Sequence, residues 1–417
     1  MHHQETLLFF VLLELAIIVL AGRVGGALAR ICGQTAAVGE IVVGILLGPS
    51  LFGALAPTAF NFVFHSAPPE PVLVLSSLGL VLLMFQIGLE FDFAHLTERV
   101  NRAAVARVAL ATLLLPFTLG FGFGYVSAPI LSAGSNPLHS ALFVATAFSI
   151  TALPILGRIM IDFDLTRTRL GVIAISAAAI NDVVGWLLLA LITTLVVSGF
   201  DAVGFALRIV AVAAFALINV KFVRPLLKRI IADSRPHAGS MSANLLGVLL
   251  AAIFLAGITT YKIGIFAIFG AFTLGVILYD EKELVIAWRQ RVGSFVMVFF
   301  LPIFFTYTGL RTSIGGLDRA ADWGWCAAVV LLASVGKLAG GYYGARRSGL
   351  THAEAAVMGF MMNTRALMEL IVINAGLDLG VISPKMFTML VIMAIVSTVI
   401  TTPALRFFLK RREFAYA

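Results

Sequence analysis

Apolar residues run through this chain in long blocks, and polar residues gather in the gaps between them. A helix that crosses a bilayer needs about 20 mostly apolar residues. On that scale thirteen spans are expected, near 6–29, 36–50, 71–90, 102–125, 138–160, 170–198, 202–224, 241–260, 263–279, 292–309, 321–345, 352–375 and 385–408. Two gaps are pronounced. PSLFGALAPTAFNFVFHSAPPEP separates the second span from the third, and ADSRPHAGS the seventh from the eighth. Their Pro, Gly and Ser residues favour loops. The opening MHHQETLLFFVLLELAIIVLAG lacks a basic leading region and a convincing small-residue cleavage pattern, so it is expected to be the first span and not a removed signal. The pattern predicts an all-α polytopic membrane protein.

Composition removes the alternatives. The chain of 417 residues is 60% hydrophobic and only 12% charged, with a mean hydropathy of +1.04. Charged residues make up roughly 25% of a soluble chain, so a single soluble core is excluded. Cys32 and Cys326 are the only cysteines and lie far apart, which implies neither a disulfide scaffold nor a metal cluster. The net charge is +8, but the basic residues punctuate the gaps and form no basic domain, so no nucleic-acid partner is expected.

The basic residues instead report topology. Arg23, Arg30, Arg99, Arg169, Arg229, Arg289, Arg346 and Arg411 fall in gaps on one side, whereas Lys262, Arg311, Arg319 and Lys385 mark the other. The crowded side is expected to be cytoplasmic. The N-terminus is then outside and the C-terminus inside, which requires an odd number of spans. No gap is long enough for a nucleotide-binding domain, and no GxxxxGK[ST] loop is present. An ion gradient is therefore the expected energy source for uphill transport.

Within this apolar background a few polar residues stand out. Asp182 lies well inside the sixth span, GVIAISAAAINDVVGWLLLALITTLVVS, beside Asn181. A charge at the bilayer centre costs about 2.5–3.5 kcal/mol on insertion scales, so such a residue should face a cavity or a partner. A carboxylate with neighbouring oxygens can replace the water around Na⁺, K⁺ or H⁺; a neutral Asp tying two helices together is the plainer alternative. Asp182 is expected to be the only carboxylate centred in a span. Lys337 is equally deep in WCAAVVLLASVGKLAGGYYGAR, where Gly336, Gly340 and Gly344 allow a close neighbour. Asp182 is its expected partner, in a working or a purely structural pair.

Two spans are expected to be interrupted. The fifth, FVATAFSITALPILGRIM, carries Pro154 among Thr146, Ser149 and Thr151. The twelfth, VMGFMMNTRALMELIVINAG, carries Asn363, Thr364, Arg365 and Glu369. Unwound segments of this kind expose carbonyls and aim half-helix dipoles at an ion; ordinary hydroxyl bonding within the helix is the alternative for Thr151. Arg365 and Glu369 are spaced i,i+4 for an ion pair on one face, structural or modulatory. Glu90 and Glu40 lie near span boundaries.

These segments resemble the monovalent cation:proton antiporter-2 family. The resemblance rests on VGEIVVGILLGPS, on LLMFQIGLEFD with Glu90 at its acidic position, on AFSITALPILGRIM, AINDVVGWLLLALIT and SVGKLAGGYYGAR with Lys337, and on MNTRALMELIVINAG. It implies an inverted repeat of spans one to six and eight to thirteen, with 202–224 as a linker. Helices in 6–90 and 241–309 would form a scaffold and homodimer surface; those in 102–198 and 321–408 would form a moving core. The broken helices would cross beside Asp182, Asn181 and Thr151, which would hold the transported cation, with no cofactor. Expected activity is exchange of Na⁺ or K⁺, with Li⁺ also admitted, for H⁺ across a bacterial plasma membrane. Some electrogenic relatives carry two adjacent aspartates where this chain has Asn181–Asp182, which favours one-for-one electroneutral exchange. The long nucleotide-sensing C-terminal segment of some potassium-efflux relatives has no counterpart, so regulation of that kind is expected to need a separate subunit. A passive channel and a membrane sensor are the competing classes. An enzyme has no HExxH motif, Cys cluster or Ser–His arrangement behind it.

Overall fold

The computed structural model describes residues 2–34, 36–90, 102–163, 165, 168–198, 202–234, 240–365 and 367–410. Arg99 and Arg411 lie outside them. The described residues are helical throughout, with no strand among them. The first half contains α1 (His2–Ile31), α2 (Ala36–Leu46), α3 (Phe52–Leu55), α4 (Pro57–Phe64), α5 (Glu70–Glu90), α6 (Arg102–Leu131), α7 (Pro137–Ser149), α8 (Leu153–Asp162) and α9 (Arg169–Ser198). The second contains α10 (Ala202–Ile218), α11 (Arg224–Ser234), α12 (Ala243–Ile263), α13 (Ala267–Ile277), α14 (Lys282–Trp288), α15 (Leu301–Leu310), α16 (Ala320–Arg346), α17 (His352–Met362), α18 (Leu367–Asp378) and α19 (Pro384–Lys410). A π-helical turn at Asn219–Val223 carries α10 into α11, and two more, Arg289–Gly293 and Val296–Phe300, lie between α14 and α15.

Nine helices among the described residues are long and apolar enough to cross a bilayer. Length and apolarity alone therefore do not give thirteen. The expected spans 36–50 and 263–279 hold helices of 11 residues, α2 and α13. The fifth and twelfth are each a pair of short helices. On α1 and α10 large apolar side chains such as Leu20, Leu207 and Val210 are exposed, as lipid-facing surfaces require.

The chain divides into two compact units. The first comprises Met1–Leu20, Thr58–Phe93 and Thr193–Tyr307. Its packing depends on small residues: a Cβ on Gly88 of α5 would sit 2.8 Å from the Val276 nitrogen of α13, and one on Gly270 of α13 would sit 2.7 Å from the Gly257 nitrogen of α12. Two of its charge clusters lie at helix ends. Asp280 takes hydrogen bonds from Arg224 at 2.8 Å and Lys228 at 2.5 Å, and Glu90 pairs with Arg289 at 3.1 Å. Burial pushes the Asp280 carboxyl up, but these two cations outweigh it and hold it below the usual range.

The second unit comprises Ala21–Pro57, Ala94–Ile192 and Thr308–Ala417. Here α16 lies directly on α6. A Cβ on Gly336 or Gly344 would come within 2.9 Å of the Cα of Pro116 or Val108 respectively, and one on Gly340 within 2.5 Å of the Ala111 carbonyl oxygen. The glycine repeat thus brings two backbones together and sets Lys337 deep inside the unit.

Candidate functional site

Both interrupted segments begin with strong local signals. At α7 the Asn136 side chain accepts from the Leu138 N–H at 2.9 Å, and Pro137 fills the first helical position. At α17 the Thr351 and Glu354 side chains each accept from the other's backbone N–H, a capping box. Helix α7 then stops at Ser149, and Ile150 is extended (φ −71°, ψ 145°). Pro154 falls in the first turn of α8, where its missing N–H removes no helical bond. The interruption precedes the proline and does not occur at it. Helix α17 stops at Met362, Asn363 has φ −82° and ψ 0°, and the helix resumes at Leu367 without any proline. The two breaks are bonded to each other: Ala152 N–H donates to the Thr364 carbonyl at 3.0 Å and the Thr151 hydroxyl to the Met362 carbonyl at 3.3 Å. The discontinuous helices cross here.

Asp182, on α9, is 2% exposed. Its Oδ2 accepts from the Leu153 N–H at 3.3 Å, so it meets the positive end of α8. Asn181 is fully buried and donates from Nδ2 to the Thr112 hydroxyl at 2.8 Å. Lys337, also fully buried, donates to the Thr151 hydroxyl at 2.7 Å and to the Ser149 carbonyl. The direct Lys337–Asp182 pair expected from the sequence is not formed. The ammonium instead caps the negative end of α7, where helix termination leaves carbonyls without helical partners. Arg365 serves the same end. It donates to Ala147 O at 3.0 Å, Phe148 O at 2.9 Å and Ala333 O at 3.1 Å, and it pairs with Glu369 at 3.0 Å. Both partners of that pair are fully buried, so the i,i+4 pairing expected from spacing is present and desolvated.

Besides Glu369 Oε2, four oxygens at and beside the crossing remain without partners. Asn181 Oδ1 and Asp182 Oδ1 are adjacent on α9; Asn363 Oδ1 and Thr364 Oγ1 lie in the second break. An unsatisfied buried polar atom costs about 1–3 kcal/mol. Oxygens of this kind are the ligands that a dehydrated monovalent cation requires. A proton can satisfy the carboxylate alone.

Glu90 is elsewhere, in the first unit, bonded to Arg289 and to Gln86 at 3.2 Å. Sequence reasoning did not single out Thr112, because a hydroxyl in an apolar helix is common and only the fold brings it to Asn181. It also passed over Glu14, which sits in the α1 span at 3% exposure. Asp182 is therefore not the only carboxylate inside a span. The signal was a single Glu in LLFFVLLELAIIVLAG, hidden by its nearness to the N-terminus.

An all-helical membrane protein with two crossed, broken helices beside a buried carboxylate has the architecture of a secondary transporter. The family model described as the transmembrane sodium/hydrogen exchanger matches residues 15–411. The chain is 37% identical to the Na(+)/H(+) antiporter NhaS4 of Synechocystis, over 96% of this chain and 97% of that one. It is 35% identical to cation/H(+) antiporter 17 of Arabidopsis thaliana and 31% identical to K(+)/H(+) antiporter 1 of Saccharomyces cerevisiae, covering 96% and 89% of this chain. It spans only 48% and 43% of those two proteins. The sodium proton antiporter MjNhaP1 of Methanocaldococcus jannaschii shares the fold, with a TM-score of 0.65 over 95% of this chain and 97% of that one, at 15% identity. The chain belongs to the sodium/hydrogen exchanger family.

Proposed function

We propose that this protein is an antiporter that exchanges one Na⁺ or K⁺, with Li⁺ also admitted, for one H⁺ by alternating access. The observation that carries this reading is that two buried oxygens on consecutive residues of α9, Asn181 Oδ1 and Asp182 Oδ1, have no partner, while Asp182 itself is bonded to the start of the second half of the first broken helix. Asp182 takes the proton in one transit and the cation in the other. Asn181 supplies a neutral oxygen. Thr151 supplies another once Lys337, which now holds its hydroxyl, withdraws. Asn363 acts as a modulator from the second break, and the Arg365–Glu369 pair holds the end of α7 in place.

The charge balance supports one-for-one exchange. Arg365 and Glu369 neutralise each other, leaving Asp182 and Lys337 as the other two fully ionisable groups at the crossing. A cation bound to Asp182 in exchange for one proton leaves that balance unchanged. The helices of 102–198 and 321–408 form the moving core, those of 6–90 and 241–309 a scaffold through which two copies associate, and 202–224 the linker. Orientation with the N-terminus outside and the C-terminus cytoplasmic in a bacterial plasma membrane follows from the gap charges.

Proteoliposomes with controlled gradients test the stoichiometry. Flux should reverse where the cation and proton gradients balance one against one, and that point should not move when the membrane potential is clamped to a new value. A reversal point that shifts with voltage means net charge transfer, with Lys337 releasing a second proton. Current without counter-flux of protons would identify a channel, and binding without flux a sensor.

A further inference from the structure

A polar concavity lies in the second unit, lined by none of the residues that meet at the helix crossing. It has a volume of about 250 Å³ and is walled by the last turn of α1, the turn that follows it, the end of α8 and the last third of α19. Arg30 and Arg406 line it from helices at opposite ends of the chain. Neither guanidinium pairs with a carboxylate among the described residues. Arg30 is oriented by its Nε, which donates to the Gly26 carbonyl at 3.3 Å. Arg406 lies across Gly33, whose φ of +73° few other residues adopt and whose missing Cβ is what admits the guanidinium.

Two neutral groups complete the lining. Thr402 is 5% exposed, and its hydroxyl has no partner. Gln34 is tethered by Nε2 to the Val399 carbonyl at 3.1 Å, which leaves its buried Oε1 unpartnered. Ile159 and Phe163 close the apolar wall on the α8 side. Two forked cations, a hydroxyl donor and one acceptor make a lining suited to a tetrahedral oxyanion that also carries a hydroxyl.

We propose that this cavity binds a phosphate group, from a free phosphate or from an anionic lipid headgroup. A phosphate there bridges Arg30 and Arg406 and accepts from the Thr402 hydroxyl, while a hydroxyl of the ligand donates to Gln34 Oε1. Because the walls come from α1, α8 and α19, the ligand joins the second half of the first broken helix to its neighbours. None of these residues belongs to the cation site, so binding can be measured independently of exchange.

The test uses the full chain in nanodiscs. Inorganic phosphate is titrated calorimetrically in phosphatidylcholine discs, against chloride at matched ionic strength. Retention of phosphatidylglycerol is measured by native mass spectrometry of protein taken from discs containing it. Saturable binding of inorganic phosphate identifies a free phosphate site; selective retention of phosphatidylglycerol identifies a headgroup site. In either case R30Q and R406Q should weaken the active probe about tenfold, the loss of one charge-assisted contact, and T402V should weaken it less. If R406Q does not fold, R406K keeps the charge and stem and should still bind more weakly, because it loses the fork. Absence of saturable binding by both probes overturns the proposal, as does equal binding by wild type, R30Q and R406K.

Discussion

The break between α7 and α8 is filled by cationic donors, whereas the break between α17 and α18 leaves oxygens unpartnered. In the first, Lys337 takes the Ser149 carbonyl while Arg365 takes those of Ala147 and Phe148, so the negative end of α7 is neutralised. In the second, the Met362 and Thr364 carbonyls are bound by the first break, but Asn363 Oδ1 and Thr364 Oγ1 are left over. Related interruptions thus carry different loads. One fixes the geometry of the crossing; the other, with Asn181 and Asp182, leaves buried oxygens unpartnered, which the proposed cation site would use. Substitutions at the first should cost stability or coupling, and those at the second should cost affinity.

The largest effect falls on the carboxylate between them. D182N keeps the shape of the side chain and removes its charge, and exchange should drop at least a hundredfold in proteoliposomes while the purified protein stays folded. At the filled break, R365A should lower stability by about 3–5 kcal/mol, because it strands Glu369 as an unpaired buried charge. Unfolding in detergent measures this, and R365M combined with E369L should recover only part of the loss, because the carbonyls of Ala147, Phe148 and Ala333 also lose their donor. K337A should have a smaller effect on stability and shift the pH profile of exchange, since it frees Thr151 and removes an ammonium from beside the site. An unchanged profile across a full pH titration would make Lys337 a helix cap alone. At the open break, N363A and T364V should raise the apparent KM for the cation a few-fold with little change in maximal rate. Their stability should stay level or rise, because each removes an unpartnered buried atom. A loss of stability there would erase the distinction between the breaks.

Much of this was legible in the sequence. Apolar blocks marked a helical membrane protein of many spans, though not a count of thirteen, and the cost of a charge in lipid singled out Asp182 and Lys337. Spacing alone proposed Arg365–Glu369. What sequence could not carry was direction. Lys337 had an obvious electrostatic partner in Asp182, yet helix termination at Ser149 offers it carbonyls that no residue pattern advertises. Pro154 drew attention to the right segment, but the break lies just before it, where Thr151 and Ala152 bond to the other broken helix. The start of each broken helix was written locally, in Asn136–Pro137 and in Thr351 with Glu354, as caps that a search for spans passes over. Glu14 stood as a lone Glu in an apolar block near the N-terminus, whereas Thr112 needed the fold, since its partner Asn181 lies far away in the chain.

The central claim is that one carboxylate, Asp182, exchanges one proton for one cation. The most direct measurement is the number of protons released per cation bound, read with a pH indicator as Na⁺ or K⁺ is added to purified protein in weakly buffered detergent. The account predicts one proton per cation in wild type, and neither saturable binding nor proton release in D182N. Saturable cation binding without proton release in wild type, or release that persists in D182N, would contradict it.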